Sequence, residues 1–460
     1  MSATLVETLQ AALGAGAVLA GEAIEPRYLH DWGIPDACAM PLAVTCPRNA
    51  AEVAAVLLAC SEARVPVVPQ GGMTGLAGGA TPSAGCVALS LERMRAIEEI
   101  DVASATMTVQ AGATLQSVQE AAEAADLFFA LDIGGRGSCL IGGNVSTNAG
   151  GNRVLRYGMA RALVLGIEVV LADGTIVTSL NKMLKNNAGY DLKQMFIGAE
   201  GTLGVITRLV LRLHPRPRSV CTALCALAGY EQVLQLLACT QAHLGGELAA
   251  FEVMWPDFYR LGTDALGRRA PLAHGCAYYV LLEQMGTDQA RDEPHFSALI
   301  EGAVDDGIVE NAVVAQSVAQ SREIWAIRDS TGEFPRTFWP LLNFDVSIPI
   351  GEIGGFVEAC SAQLAARWPE IRTVFFGHIA DSNVHIVLNM GDAVLPAHEV
   401  EPLVYDCVRD WRGSISAEHG IGVLKREYLG HSRSEAEIAV MRRIKAALDP
   451  LGILNPGKVI

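Results

Sequence analysis

Two glycine-rich runs in the first half of the chain limit its backbone most severely. They are Pro69-Gln70-Gly71-Gly72-Met73-Thr74-Gly75-Leu76-Ala77-Gly78-Gly79 and Gly134-Gly135-Arg136-Gly137-Ser138-Cys139-Leu140-Ile141-Gly142-Gly143-Asn144-Val145-Ser146-Thr147-Asn148-Ala149-Gly150-Gly151-Asn152. Glycine weakens regular structure, so such runs belong where the backbone turns left-handed or approaches another group closely. The first run follows the strand-like Val65-Pro66-Val67-Val68, and its successive N–H groups can turn inward as a nest for a pyrophosphate-like anion. It matches neither the Rossmann spacing nor the P-loop. The second suits a flat ring laid against the backbone, with Ser138, Asn144, Thr147 and Asn148 to satisfy heteroatoms. Either run alone reads equally well as a tight loop. A third, Gly198-Ala199-Glu200-Gly201-Thr202-Leu203-Gly204-Val205-Ile206, makes a bound cofactor the better reading.

A chain of 460 residues exceeds what one core supports, and its 51% hydrophobic and 18% charged content fits a compact enzyme rather than a disordered chain. With 34 basic against 50 acidic side chains, the net charge of −16 repels nucleic acid and anionic lipid. The eleven cysteines are scattered, with no C-x-x-C and with Cys221 and Cys225 as the closest pair, which implies free thiols in a reducing compartment. The stretch Ser2 to Gly21 carries Glu7 and lacks the basic start and long apolar run of a signal peptide, and no window is long enough to span a bilayer. A soluble, cytoplasmic protein is expected.

Residues 1–37 read as a helical lead-in and 38–215 as a first domain in which short β-branched runs alternate with helical ones. Ala51 to Cys60 has helical spacing. Leu163 to Leu171 and Thr175 to Thr178 flank Asp173-Gly174, a hairpin dipeptide expected to take positive φ at both positions. Antiparallel structure follows, rather than crossover-linked parallel strands. His214-Pro215-Arg216-Pro217 marks a boundary. Residues 216–412 read as a second domain, an antiparallel sheet with helices on one face, including a helix over Glu231 to Leu244 and a strand over Ala277 to Leu282. In the last segment, 413–460, a helix over Ser434 to Leu448 stops at Asp449-Pro450 and a turn-rich tail follows. No internal repeat is present.

The sharpest constellation is Gly377-His378-Ile379-Ala380-Asp381-Ser382-Asn383-Val384-His385, between the strand-like Thr373 to Phe376 and Ile386 to Leu388. If Ala380 to Asn383 form a four-residue hairpin loop, His378 directly opposes His385, with Cβ atoms about 5 Å apart on one sheet face. That geometry suits one divalent ion, and imidazole nitrogens favour zinc or manganese. Asp381 and Asn383 read as turn formers. Ser416-Ala417-Glu418-His419-Gly420-Ile421-Gly422 offers a further carboxylate and a base. Taken singly, each of these is more readily a satisfied polar group.

The whole chain resembles the FAD-linked oxidases of the vanillyl-alcohol oxidase (PCMH) type, in the branch of D-2-hydroxyglutarate dehydrogenase, D-lactate dehydrogenase and the glycolate oxidase flavin subunit. The match rests on Pro69 to Gly79, Gly137 to Gly151, Gly189-Tyr190-Asp191-Leu192-Lys193-Gln194 running on to Ile206, and Asn455-Pro456-Gly457-Lys458, in that order. The resemblance implies an α+β fold: a two-subdomain PCMH-type FAD-binding domain, an antiparallel-sheet substrate cap with helices, and a C-terminal helical tail returning to the FAD site. It places Pro69 and Gly71, Gly72, Met73, Thr74, Gly75 and Leu76 around the FAD pyrophosphate. Ser138, Gly142, Thr147, Asn148, Gly150 and Gly151 would line the flavin, Glu200, Gly201, Gly204 and Ile206 would meet the adenine side, and Asn455 and Lys458 would close the site. Met73 stands where some relatives carry a flavin-linking histidine, so the FAD is expected to be non-covalent.

The same resemblance assigns His378, His385 and Glu418 as ligands of a divalent metal, zinc or manganese, His419 as catalytic base and Arg328 as the residue that binds the substrate carboxylate. Gly332 stands where a threonine is expected and Asn343 where a lysine for the distal part of the substrate is expected, which makes D-lactate as plausible as D-2-hydroxyglutarate. The implied activity is FAD-dependent, metal-assisted oxidation of a D-2-hydroxy acid to the 2-oxo acid, with hydride passing to flavin N5. The implied acceptor is an electron-transfer flavoprotein, a quinone or a cytochrome. No nucleic acid or membrane span is expected, and a homodimer is the expected assembly. Two rivals are a flavin-dependent transferase of the alkyl-dihydroxyacetone-phosphate synthase type and a non-catalytic flavin subunit. The histidine–glutamate set argues against the transferase.

Overall fold

The computed structural model describes every residue except 1, 37–38 and 392–395, and the backbone alone of 2–3; the boundary expected at residue 37 therefore lies outside the described residues. Contacts divide the chain into two units. The first comprises Met1–Gly151, Gly158–Arg216 and Glu418–Ile460, and the second Asn152–Tyr157 and Pro217–Ala417.

In the first unit only Ser2–Leu13 of the expected helical lead-in is an α-helix. Gly14, at φ 86, ends it, and Val18–Leu19 then pairs as a strand with Ala43–Thr45. Ala50–Ala63 forms the helix expected from its spacing, capped by the Asn49 side chain on the Glu52 amide and burying Val53, Val56, Leu57 and Cys60. It links Ala43–Thr45 to Val67–Gln70, and both strands lie parallel to Val87–Ser90. This small sheet is mixed, since Val18–Leu19 runs antiparallel to Ala43–Thr45, and it lies outside the antiparallel expectation, which concerns the stretch around Asp173-Gly174. That expectation holds for the five-stranded sheet, in which Ile97–Asp101, Thr106–Gln110, Val205–Arg212, Val164–Val170 and Ile176–Ser179 are neighbours in that order. At the hairpin between the last two strands only Gly174 takes positive φ, at 82. Asp173 instead accepts the Thr175 amide through its side chain at 2.9 Å, so one left-handed residue suffices. The C-terminal helix, Glu435–Leu448, starts in a capping box formed by Ser434 and Glu437. Beyond it Leu454 bridges to Val67, which returns the tail to the strand that feeds the first glycine run.

The second unit is built on one antiparallel seven-stranded sheet, in the order Asn311–Val314, Ser219–Leu227, Tyr278–Gly286, Leu248–Met254, Arg372–His378, Asn383–Asn389, Leu342–Ser347. Helices cover both of its faces, not one. Leu248–Met254 and Tyr278–Gly286 are buried at every position, so neither face is left to solvent. On one face Met254, Tyr279, Leu281 and Phe376 pack with Phe258 and Tyr259 and with Ile324 and Ile327 of the helix Val318–Arg328. On the other, Tyr230 at the start of Tyr230–Leu244 meets Tyr278, and Tyr405 of Ala397–Asp410 meets Phe344.

Candidate active site

The face that carries Met254 and Phe376 turns polar toward one end of its central strands. His378 and Glu252 are directly opposed on neighbouring strands. His385 opposes Phe376 on one side and Asp345 on the other. The sequence expectation that His378 and His385 face each other is therefore corrected: with Phe376 and His385 paired, His378 lies diagonally from His385, two residues further along the same face. The turn keeps the expected four residues but begins one residue earlier, over 379–382, where Ile379–Asp381 forms a 3-10 turn and Ser382 takes the left-handed conformation at φ 75. Diagonal placement still brings the rings together, with centroids 5.5 Å apart and candidate ligand nitrogens within 4.8 Å. Gly377 is required beside this turn, because a Cβ there would lie 2.3 Å from the Asn383 carbonyl oxygen. Asn383 is not a turn former. Its amide donates to Asp345 Oδ1 at 2.7 Å and to the Val346 carbonyl at 3.2 Å, tying the hairpin to the next strand.

Each histidine has a carboxylate behind it. Glu252 Oε1 lies 2.5 Å from His378 Nδ1, and Asp345 Oδ1 lies 3.7 Å from His385 Nδ1. A His378 that donates from Nδ1 keeps the lone pair at Nε2, the form a metal ligand needs, so this donor set fits a divalent ion. Arg328 ends its helix buried, not on the surface. It donates from Nε to Glu252 Oε2 at 2.7 Å, its Nη2 lies 3.2 Å from His378 Nε2, and its guanidinium sits 5.1 Å from the Phe376 ring centre. Burial alone would raise the Glu252 carboxyl, but its interactions with His378 and Arg328 overcome it and hold the group below the usual carboxylate range. Asn343 is exposed, one pair along from Asp345 on the same face of the strand Leu342–Ser347. Sequence reasoning missed Glu252. Its signal was present, a lone acid in the otherwise apolar run Leu248-Ala249-Ala250-Phe251-Glu252-Val253-Met254.

In the first unit the two glycine runs pack against each other. A Cβ on Gly72 would lie 2.0 Å from the Ser138 carbonyl oxygen, and one on Gly71 3.6 Å from Gly143 Cα. Met73 takes positive φ, 56, as a nest-forming turn requires. Beside this contact lies a cleft of about 510 Å³ lined by Gly71, Gly72, Met73, Ser138 and Leu140 together with Arg27 and Arg95. The glycine cradle and Arg95 fit the phosphate-bearing part of FAD, whereas Arg27 is paired with Glu92, which also lines the cleft, at 2.8 Å.

Several other residues of the expected cofactor set have local roles. Thr147 donates to the Gly143 carbonyl at 3.2 Å, and Asn148 accepts the Arg161 amide at 2.9 Å. Gly204 is a packing glycine, since its Cβ would lie 2.4 Å from Val169, and Ile206 is buried in the strand Val205–Arg212. Glu200 accepts the Ile421 amide at 2.7 Å and the Gly422 amide at 2.8 Å. Asn455 donates to the carbonyls of Gly79 and Glu200, and Lys458 donates to that of Thr81. The tail and the Glu418–Gly422 loop are thereby fastened to the first and third glycine runs. Glu418 itself accepts the amide of Gly151, at the end of the second.

Residues 41–179 match the family model described as FAD binding domain, and residues 216–459 match that of FAD linked oxidases, C-terminal domain. The chain belongs to the FAD-linked oxidases. It is 38% identical to mitochondrial D-2-hydroxyglutarate dehydrogenase of Bos taurus, over 90% of this chain and 76% of that one. It is 39% identical to D-2-hydroxyglutarate dehydrogenase of Xanthomonas citri pv. viticola, over 91% and 89%. The Stutzerimonas stutzeri protein of the same name is 35% identical over 99% and 98%. Among solved structures, p-cresol methylhydroxylase with substrate bound superposes with a TM-score of 0.76 at 16% identity, covering 99% of this chain and 96% of that one. Alkyldihydroxyacetonephosphate synthase superposes at 0.75 and 15%, covering 98% and 85%. At such identities the shared feature is the fold, so a methylhydroxylase and a synthase sit equally near in shape. Among the described residues of this FAD-linked oxidase, no helix is long and apolar enough to cross a membrane.

Proposed function

We propose that the protein oxidises a D-2-hydroxy acid, D-2-hydroxyglutarate or D-lactate, to the 2-oxo acid with the help of a divalent metal. The observation that carries this reading is the buried Arg328–Glu252–His378 cluster with His385 beside it, in a chain related over nearly its whole length to proteins named D-2-hydroxyglutarate dehydrogenase. When bound, FAD supplies the two-electron acceptor for the C2 hydride, and the ion, zinc or manganese, supplies charge that favours the ionised C2 hydroxyl.

The residues of this chain then have distinct tasks. His378 and His385, with Glu418 as assigned by the resemblance, hold the ion. Arg328 binds the C1 carboxylate through its guanidinium. His419 accepts the C2 hydroxyl proton, for which imidazole basicity near neutral pH is suited. The glycine runs hold FAD without a covalent bond, since Met73 offers no nucleophilic nitrogen. Asn343, neutral and exposed, gives a second carboxylate of D-2-hydroxyglutarate no cation at that position, which keeps D-lactate in contention. Turnover requires a second electron acceptor, an electron-transfer flavoprotein, a quinone or a cytochrome. Ten cysteines without disulfides among the described residues support a reducing compartment such as the cytoplasm.

Mixing the zinc-loaded flavoprotein anaerobically with D-2-hydroxyglutarate or D-lactate tests this. One of the two is expected to bleach the visible flavin band within a single turnover, and the L-enantiomers are not. Failure of every D-2-hydroxy acid to bleach the band would reject the reading.

A further inference from the structure

We propose that Glu252 is a positioning residue that sets both the imidazole of His378 and the guanidinium of Arg328, so that metal binding and substrate-carboxylate binding depend on one buried carboxylate. The proposal rests on the reading of His378 as a metal ligand and Arg328 as the carboxylate binder. Glu252 is 1% exposed, in a strand buried along its whole length. A charged group in such a place is retained only when its partners satisfy it. Its two oxygens serve two different elements: Oε1 lies 2.5 Å from Nδ1 of His378, on the strand Arg372–His378, and Oε2 accepts from Nε of Arg328, at the end of the helix Val318–Arg328.

The consequences for the two partners differ. An ionised carboxylate accepts and never donates, so Oε1 selects the Nδ1–H form of His378 and puts the lone pair on Nε2, which faces Arg328 Nη2 at 3.2 Å here and which a bound ion would take over from that contact. Oε2 fixes the plane of the guanidinium through Nε, which determines where the Nη groups meet an anion. A carboxamide cannot do both. Its oxygen would satisfy one donor, and its amino group would confront the other.

The test compares Glu252→Gln, Arg328→Met and the double variant with the wild-type flavoprotein. Zinc affinity is read by chelator competition, KM and kcat with whichever D-2-hydroxy acid bleaches the flavin, and the His378 ring by long-range ¹H–¹⁵N spectra, assigned by the signal lost in His378→Ala. Glu252→Gln is expected to weaken zinc binding about 10- to 100-fold and to raise KM, with the visible flavin band unchanged, and to shift the His378 signal away from the Nδ1–H form. A merely structural counter-ion for Arg328 would move none of the zinc or ring readouts once the arginine is gone.

The double variant removes the buried cation together with its partner and covers the case in which Glu252→Gln alone does not fold. It is expected to bind zinc more weakly than Arg328→Met, and equal affinity in those two proteins overturns the proposal. If His378→Ala binds zinc as tightly as wild type, the ligand reading fails instead. The ring spectrum then decides on Glu252 alone, and an unchanged His378 signal in Glu252→Gln overturns the positioning role.

Discussion

His419 follows a glutamate whose side chain is tied to the end of the second glycine run, and it precedes two amides that Glu200 holds from below. Its backbone is thus restrained on both sides, which suits the proton-accepting role proposed for it. Replacing it with alanine removes only the imidazole, so His419→Ala is expected to retain FAD while substrate-driven bleaching slows by about 10²- to 10⁴-fold; stopped-flow absorbance measures this. Glu200 offers a second test at this scale. Burial raises its carboxyl despite the two amides and the nearby Lys425 and Lys458. A folded-state value above the unfolded one means that its contribution to stability is complete below the ordinary carboxylate range and is lost as pH rises through the raised value. Glu200→Gln does not titrate, so the stability gap between wild type and variant should narrow as pH rises from about 4 toward 7. Thermal unfolding across that range gives the slope, and a gap that widens would contradict the sign.

Among the elements, the hairpin from Arg372–His378 to Asn383–Asn389 carries both histidines proposed as metal ligands. Its alternation puts Phe376, His378, His385 and Val387 on one face, and pairing with Leu342–Ser347 adds Asp345 and Asn343 to the same face. A one-residue slip would send both histidines to the opposite face, so the Asn383–Asp345 bond matters for register as well as for local order. His385→Ala truncates a side chain without touching the ladder. Metal content after dialysis, measured by elemental analysis, should fall with an affinity loss of at least about 100-fold, while unfolding stays within about 1 kcal/mol of wild type. Unchanged metal content would remove the hairpin from the metal site. The neighbouring strand Leu248–Met254 shows how one polar residue can be carried by an otherwise apolar element, since its other six positions are apolar and buried.

On the scale of the whole molecule, the residues proposed for FAD lie in one unit and the paired histidines in the other. Chelation should therefore separate the two functions. EDTA-treated protein is expected to keep its visible flavin band and to lose bleaching by substrate, and added zinc or manganese should restore it; release of FAD with the metal would contradict this. The features legible in the sequence were those set within a few residues: the glycine runs, the helices Ala50–Ala63 and Glu435–Leu448, the hairpin strands around His378 and His385, and the family motifs in order. These depend on local sterics, capping bonds and side-chain alternation, which a chain carries wherever it lies. What only the tertiary structure decided was the diagonal offset of the two histidines, the covering of both sheet faces, the grouping of residues 152–157 with the second unit, and the partnership of Glu252 with His378, 126 residues away in the chain. The position of the turn set the first, and the last needed two strands to become neighbours. A buried acid shows in the sequence as an anomaly, but which donors neutralise it is determined only when distant strands and helix ends meet.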